Sequence, residues 1–167
     1  MYNSKPHQHA LRKGRVSVQS LAYTITKCVN NRDTTLLIQP EISDILINAF
    51  IWCKEQERIR IGGFVIMPNH YHIILALRKD YTLSSIMVTI DSFTARKINS
   101  QLMREGQFWE RGYYDHAHRS AKDFLKQLEY IHNNPVRKGL VDTPNEWQFS
   151  TANPKWNHLI DWDWFRM

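Results

Sequence analysis

The segment Met67–Leu77 reads MPNHYHIILAL and places two histidines, one residue apart, at the start of an unbroken apolar run. Successive side chains of a β-strand point to opposite faces of the sheet, so His70 and His72 share a face and Tyr71 points to the other. Two imidazoles on one face are close enough to bind one metal ion. They are equally able to form ordinary hydrogen bonds on a half-buried sheet, and the pattern alone leaves both interpretations open.

The segments on either side of this strand predict an antiparallel sheet with helices. Alternating and helical apolar periodicity, together with the turn and capping residues, define the elements. In chain order they are strand 17–29, helix 40–58, strand 58–67, strand 70–77, helix 82–103, extended segment 106–118 and helix 120–135. This order predicts an α+β protein with the ferredoxin-like split βαβ arrangement, in which helices cover one face of the sheet, plus a C-terminal helix and tail.

Length and charge suggest one domain with a basic segment. A chain of 167 residues favours a single domain. We divide it into a basic N-terminal arm at 1–16, a domain at 17–150 and a tryptophan-rich tail at 151–167. The net charge is +6, and residues 1–32 contain no acidic residue. A basic segment beside a globular body is typical of proteins that contact phosphates, although a solvated tail has the same composition.

Hydropathy and cysteine content argue against a secreted or membrane protein. No apolar stretch approaches the ~20 residues that span a bilayer, and the N-terminus lacks the apolar region of a signal peptide. Cys28 and Cys53 are the only cysteines, too few for a disulfide framework. We expect a cytoplasmic protein with reduced thiols and no membrane partner.

The last predicted helix contains a candidate nucleophile for phosphoryl transfer. Tyr130 and Asn134 are separated by four positions and therefore lie on one face of a helix. Phe124, Leu128 and Ile131 form a separate apolar stripe that would pack on the sheet. This predicts that the ring of Tyr130 packs at the margin of the stripe while its hydroxyl stays accessible. Taken alone, both residues are also ordinary: an amphipathic tyrosine and a C-terminal capping asparagine.

Three separated strings together resemble a known family. MPNHYHIILAL, FWERGYYDH and YIHNNPVRKGLV resemble, in order and distance, the IS200/IS605-type tyrosine transposases of the HUH class, and most closely the REP-associated tyrosine transposases. The resemblance runs from about Tyr23 to Ser150. It implies that Tyr130 is the catalytic tyrosine, that His70 and His72 are metal ligands, and that Asn134 is the third ligand.

The resemblance also implies a reaction and a substrate. The expected activity is cleavage and rejoining of single-stranded DNA at hairpin-containing sites, such as REP elements or insertion-sequence ends, through a 5′-phosphotyrosine intermediate. A mixed nitrogen and oxygen ligand set without thiolate suits Mg²⁺ or Mn²⁺ as cofactor. The partner would be a single-stranded DNA hairpin, and the protein a monomer or a homodimer. The residues expected to contact DNA are Arg12, Lys13, Arg15, Arg111, Arg119, Lys126, Arg137 and Lys138.

Two other functions stay open at this point. The protein could bind hairpin DNA without turnover, with the same fold and the same residues. It could also be a zinc hydrolase that uses a second H-x-H pair, His116 and His118, to complete a metal site. The transposase requires Tyr130 for cleavage, the zinc hydrolase would cleave without it, and the binding protein would not cleave at all.

Overall fold

A computed structural model describes residues 17–18 and 21–166. The four strands are β1 (Ala22–Cys28), β2 (Ile59–Ile66), β3 (His70–Leu77) and β4 (Tyr114–Ala117). The helices are α1 (Pro40–Glu55), α2 (Leu83–Gln101), α3 (Ala121–His132), α4 (Asn134–Arg137) and α5 (Trp162–Phe165). The arm expected at 1–16, and with it Arg12, Lys13 and Arg15, lies outside the described residues.

The strands form one antiparallel sheet in the order β2-β3-β1-β4. This order confirms the predicted ferredoxin-like arrangement. β3 lies inside the sheet, between β2 and β1, and all of its residues except His70 are buried. This position explains the apolar run after the histidines, because a strand that is buried on both faces needs apolar side chains on both.

Helices cover both faces of the sheet. α1 and α2 lie on the face of Tyr71, whose ring centroid is 5.2 Å from that of Phe50 in α1. On the same face, the buried Lys27 of β1 forms an ion pair of 2.7 Å with Asp91 of α2. α3 lies on the opposite face, with the histidines. The separate C-terminal helix of the predicted fold therefore occupies the face that α1 and α2 leave uncovered.

A glycine in β2 allows α3 to approach the sheet closely. The register of β2 against β3 shifts between Ile61 and Gly63, which is the irregularity that the glycine pair predicts. Gly63 has a φ of +150°, and a β-carbon added there would lie only 2.5 Å from Cδ1 of Leu128 in α3. The position of α3 thus depends on the missing side chain at Gly63.

The C-terminal segment pairs with the outer edge of β2. Ile66 N–H donates to the carbonyl of Phe149 at 2.8 Å, and Thr151 N–H donates to that of Phe64 at 3.0 Å. Further along, Asp161 accepts from Ile61 N–H through its carboxylate, at 2.8 Å. Covering an edge strand in this way removes its unpaired backbone groups from solvent. Three tryptophans of the tail pack against the core: Trp156, Trp162 and Trp164.

Within residues 17–18 and 21–166, none of the helices is both long enough and apolar enough to cross a bilayer.

Candidate active site

The two histidines of β3 share one face of the sheet, as the alternation predicted. The ring centroids of His70 and His72 are 5.0 Å apart, and the rings are nearly perpendicular, at 82°. In the register of the sheet, His70 is opposite Cys28 and His72 is opposite Thr26. Both imidazoles therefore lie where β1 and β3 run side by side, on the face that α3 covers.

His72 is held through both ring nitrogens. Its Nε2 lies 3.0 Å from Nδ2 of Asn134, and its Nδ1 lies 2.8 Å from Oγ1 of Thr26. The amide NH₂ can only donate, so Nε2 accepts and Nδ1 carries the proton that it donates to Thr26. His72 and Asn134 are 8% and 5% exposed, so the pair forms the buried floor of the site.

Both imidazoles are neutral at physiological pH. Burial lowers the pKa of His70 to about 4, and the positive charges of Lys138 and Arg32 contribute in the same direction. Burial also lowers the pKa of His72 to about 3, with contributions from His70 and Arg137. Neutral imidazole is the form that binds metal ions, because its unprotonated nitrogen retains a lone pair.

α3 brings Tyr130 to the edge of the histidine pair. The helix begins as predicted, with the Ser120 hydroxyl accepting from Asp123 N–H at 3.1 Å. Phe124, Leu128 and Ile131 are buried against the sheet, whereas the side chain of Tyr130 is 52% exposed. The ring centroids of Tyr130 and His72 are 6.5 Å apart. Tyrosine and histidines of one chain therefore belong to a single site.

A proline break after α3 gathers further groups around Tyr130. Pro135 lies in the first turn of the short α4 and cannot continue the hydrogen bonds of α3. Asn133, not Asn134, is the capping residue of α3, which leaves Asn134 free to contact His72. Arg137 donates from Nη1 to the carbonyl of Tyr130 at 3.0 Å, and its guanidinium lies 4.1 Å from the centre of the Tyr130 ring.

The basic residues divide into two groups. Arg137 and Lys138 contribute positive charge at the histidines: Lys138 lowers the pKa of His70, and Arg137 lowers that of His72. Arg111, Arg119 and Lys126 are exposed, and no described contact joins their side chains to the histidines or to Tyr130. Sequence reasoning missed Arg32, which acts electrostatically on His70 although it follows β1 by four residues.

The second histidine pair does not extend the first. His118 is 3% exposed, and its Nε2 lies 2.6 Å from Oγ1 of Thr24. His116 is exposed and faces Asp123 at 3.4 Å. Across the part of the chain that the structure describes, no three or more histidine, cysteine or acidic side chains are grouped as a metal site requires. In the described residues, the pairs His70/His72 and His116/His118 therefore do not come together in the single metal site that the zinc hydrolase would need.

Two supporting residues also escaped the sequence analysis. Thr26 contacts Nδ1 of His72, and Asn69 contacts Nδ1 of His70 at 2.8 Å. The signal for Asn69 was its position directly before the first histidine. Thr26 gave none, because only the pairing of β1 with β3 places it opposite His72.

Comparison with known proteins identifies the family of this chain. Residues 17–134 match the sequence model of the family described as "Transposase IS200 like". The chain belongs to the IS200-like transposase family. The match ends at Asn134, so it includes both histidines, Tyr130 and the whole of the sheet.

This IS200-like transposase is similar in sequence and in structure to REP-associated tyrosine transposases. The REP-associated tyrosine transposase of Escherichia coli (strain K12) is 27% identical over 156 residues, which cover 89% of this chain and 88% of the relative. A solved structure of the REP-associated tyrosine transposase bound to a REP hairpin superposes with a TM-score of 0.69 at 28% identity. That comparison covers 82% of this chain and 79% of the other. The resemblance found in the three sequence strings is thereby confirmed at the level of the family.

Proposed function

We propose that this IS200-like transposase cleaves and rejoins single-stranded DNA at hairpin-containing sites, with Tyr130 as nucleophile and a divalent ion held by His70, His72 and Asn134. The observation that carries the proposal is the approach of Tyr130 to His72 within one chain, at 6.5 Å between ring centroids. A half-exposed phenol beside the buried imidazole of His72 and the half-buried imidazole of His70 combines an accessible nucleophile with a potential ion site.

The donor groups suit an ion such as Mg²⁺ or Mn²⁺. The Nδ1 atoms of His70 and His72 are engaged by Asn69 and Thr26, so an ion would bind through the Nε2 atoms and would replace the contact that Asn134 makes with Nε2 of His72. Asn134 adds an amide whose NH₂ faces His72, so it would have to turn its oxygen toward an ion. Nitrogen and oxygen donors without thiolate favour Mg²⁺ or Mn²⁺ over structural zinc. The chemistry supplied by such an ion is Lewis-acid polarisation of the scissile phosphate.

The reaction step assigned to Tyr130 is an in-line displacement at phosphorus. The phenolic oxygen forms a bond to phosphorus and loses its proton, while the bond from phosphorus to the 3′ oxygen breaks. The departing 3′ oxygen takes up a proton and leaves as a 3′-hydroxyl. The other DNA fragment stays on Tyr130 as a 5′-phosphotyrosine ester, and attack by another 3′-hydroxyl reverses the step and joins new ends. The Arg137 guanidinium against the Tyr130 ring orients the phenol for this attack.

A hairpin substrate is supported by the relatives and by the charge around the site. The matching solved transposase is bound to a REP hairpin. In this chain Arg137 and Lys138 add positive charge beside the histidines, where a scissile phosphate would lie. Contacts of this kind hold the phosphate backbone and do not read its sequence.

The test is formation of a covalent adduct with end-labelled DNA. A single strand with a REP-type hairpin is incubated with the protein and Mn²⁺, then separated under denaturing conditions. A 3′-end label should remain with the protein, whereas a 5′-end label should appear on a shorter free strand. Tyr130→Phe should abolish both products while hairpin binding in a mobility assay stays near that of the wild type.

A matched control and two alternative results complete the test. Tyr81→Phe removes a hydroxyl from a tyrosine that packs near Arg58 and should leave adduct formation unchanged. Hairpin binding without adduct in the wild type, for several hairpins and ions, would support the protein that only binds DNA. Cleavage that persists in Tyr130→Phe would refute the tyrosine mechanism.

A further inference from the structure

Asn69 occupies the tight link between β2 and β3, directly before the first histidine. Met67 N–H donates to the carbonyl of His70 at 2.8 Å and closes this link. The carbonyl of Asn69 itself accepts from Val29 N–H at 2.9 Å, just beyond the end of β1. The backbone of Asn69 is therefore fixed on two sides, and its side chain starts from a defined position.

The orientation of the Asn69 amide follows from its two partners. Its Nδ2 lies 2.7 Å from the carbonyl oxygen of Arg32. A carbonyl can only accept, so the NH₂ must face Arg32 and Oδ1 must face His70. Nδ1 of His70, 2.8 Å from Oδ1, is then the protonated nitrogen that donates, and Nε2 has the free lone pair. One backbone carbonyl thus selects the tautomer of the histidine.

The carbonyl that orients Asn69 belongs to Arg32, and the side chain of Arg32 is held in an ion pair. Arg32 donates from Nε and Nη2 to the two carboxylate oxygens of Glu110, at 2.6 and 2.8 Å. Such two-point pairing fixes the direction of both side chains more strongly than a single contact. Arg32 is therefore engaged within the protein.

Glu110 is anchored in turn to the sheet. Its N–H donates to the carbonyl of Cys28 at 2.9 Å, and its carbonyl accepts from Nζ of Lys27 at 2.8 Å. Lys27 is 3% exposed and is also paired with Asp91. A continuous series of contacts therefore runs from a buried lysine to a ring nitrogen of the candidate ion site.

We infer that Asn69 is a positioning residue for His70, and that the Arg32–Glu110 ion pair supports it by holding the carbonyl of Arg32 against the Asn69 amide. The inference rests on the proposed function in one respect, namely that Nε2 of His70 binds an ion. The selection of the His70 tautomer is a property of the protein without any ion. Partners of this kind around a metal ligand commonly change metal affinity by about 10-fold to 100-fold when removed.

The experiment measures the tautomer and the affinity separately, in the full chain without DNA. Nitrogen NMR of histidine-labelled protein at pH 7 should show His70 as the Nδ1–H tautomer in the wild type. In Asn69→Ala the His70 signals should move toward the exchange-averaged values of a mixed tautomer. Binding of Mn²⁺ alone, followed by calorimetry, should weaken by about 10-fold to 100-fold in the same variant.

Two further variants separate positioning from folding. Asn99→Ala removes an amide of the same type, which donates to the carbonyl of Gly106 at the end of α2, and both readouts should stay at wild-type values. Glu110→Gln keeps the shape at a partly exposed site but removes the charge that holds Arg32, and should move the His70 signals in the same direction as Asn69→Ala, by less. This variant tests the inference even if Asn69→Ala fails to fold.

The outcomes for the ion site and for the positioning role are distinct. If wild-type protein binds no Mn²⁺ but Asn69→Ala still shifts the tautomer, the positioning role stands and the proposed ion site fails. If the tautomer of His70 is unchanged in folded Asn69→Ala, or in Glu110→Gln when Asn69→Ala does not fold, the inference is overturned.

Discussion

Asn134 and His72 lie 62 residues apart in the sequence, yet their side-chain nitrogens approach to 3.0 Å in the floor of the candidate site. The contact joins the first residue of α4 to the centre of the sheet and depends on Asn133 taking the capping role in α3. One member of an Asn-Asn pair is thus committed to the helix and the other to the site.

Asn134→Ala is expected to weaken Mn²⁺ binding at least 10-fold, because it removes one of the three proposed ligands. Calorimetry with Mn²⁺ alone measures the change. Asn133→Ala is the matched control: its amide donates to the carbonyl of Glu129 at 2.9 Å and does not face the histidines. Equal affinities for the two variants would remove Asn134 from the ligand set.

Arg137→Ala is expected to slow single-turnover cleavage at saturating hairpin by about 5-fold to 30-fold. The estimate corresponds to about 1–2 kcal/mol for losing the guanidinium that packs on the Tyr130 ring. Lys138→Ala is the matched control, because it removes one positive charge from the next residue. It should weaken hairpin binding about as much as Arg137→Ala does, while its cleavage rate at saturating hairpin stays close to that of the wild type. A slowed rate in both variants would indicate a general effect of charge instead of positioning of Tyr130.

Gly63→Ala is expected to destabilise the protein by about 2 kcal/mol or more, because the new methyl group overlaps Leu128 of α3 and overpacking is costly. Urea unfolding measures the loss. Gly106→Ala is the control, since Gly106 also has a positive φ, of +89°, but an added β-carbon there meets no atom within 4 Å. Similar losses for both variants would mean that backbone strain, and not the contact with α3, sets the cost.

Acid is expected to destabilise the fold through its buried histidines. Burial lowers the pKa of His70, His118 and His132 to about 4 and that of His72 to about 3. The unfolded chain binds protons near pH 6.5 while the folded protein does not, so the stability contribution is complete above pH 6.5 and is lost as pH falls toward 4 and 3. When the loss is complete, each histidine would contribute about 3–5 kcal/mol to it.

Urea midpoints measured between pH 7.5 and 4.5 check this expectation and should fall with pH. His118→Gln should flatten the slope, because it removes one buried titrating ring. A midpoint that does not change over this range would contradict the pKa values assigned to the buried rings.

Much of this protein was determined by local sequence pattern. Alternation placed His70 and His72 on one face, the apolar stripe of Phe124, Leu128 and Ile131 predicted the docking side of α3, and Ser120 marked where α3 begins. The order of elements was sufficient for the ferredoxin-like sheet. These features depend on the periodicity of side chains and on hydrogen bonds between neighbouring residues. Both can be recognised within a single segment of the sequence.

The tertiary structure decided which distant groups meet. It placed α3 on the face opposite α1 and α2, brought Asn134 to His72, kept the pair His116 and His118 apart from that site, and set Arg32 beside His70. None of these contacts has a periodic signal, because each joins segments whose separation is fixed only when the strands pair and the helices pack. The sequence thus determined the faces of the elements, and folding determined which faces meet.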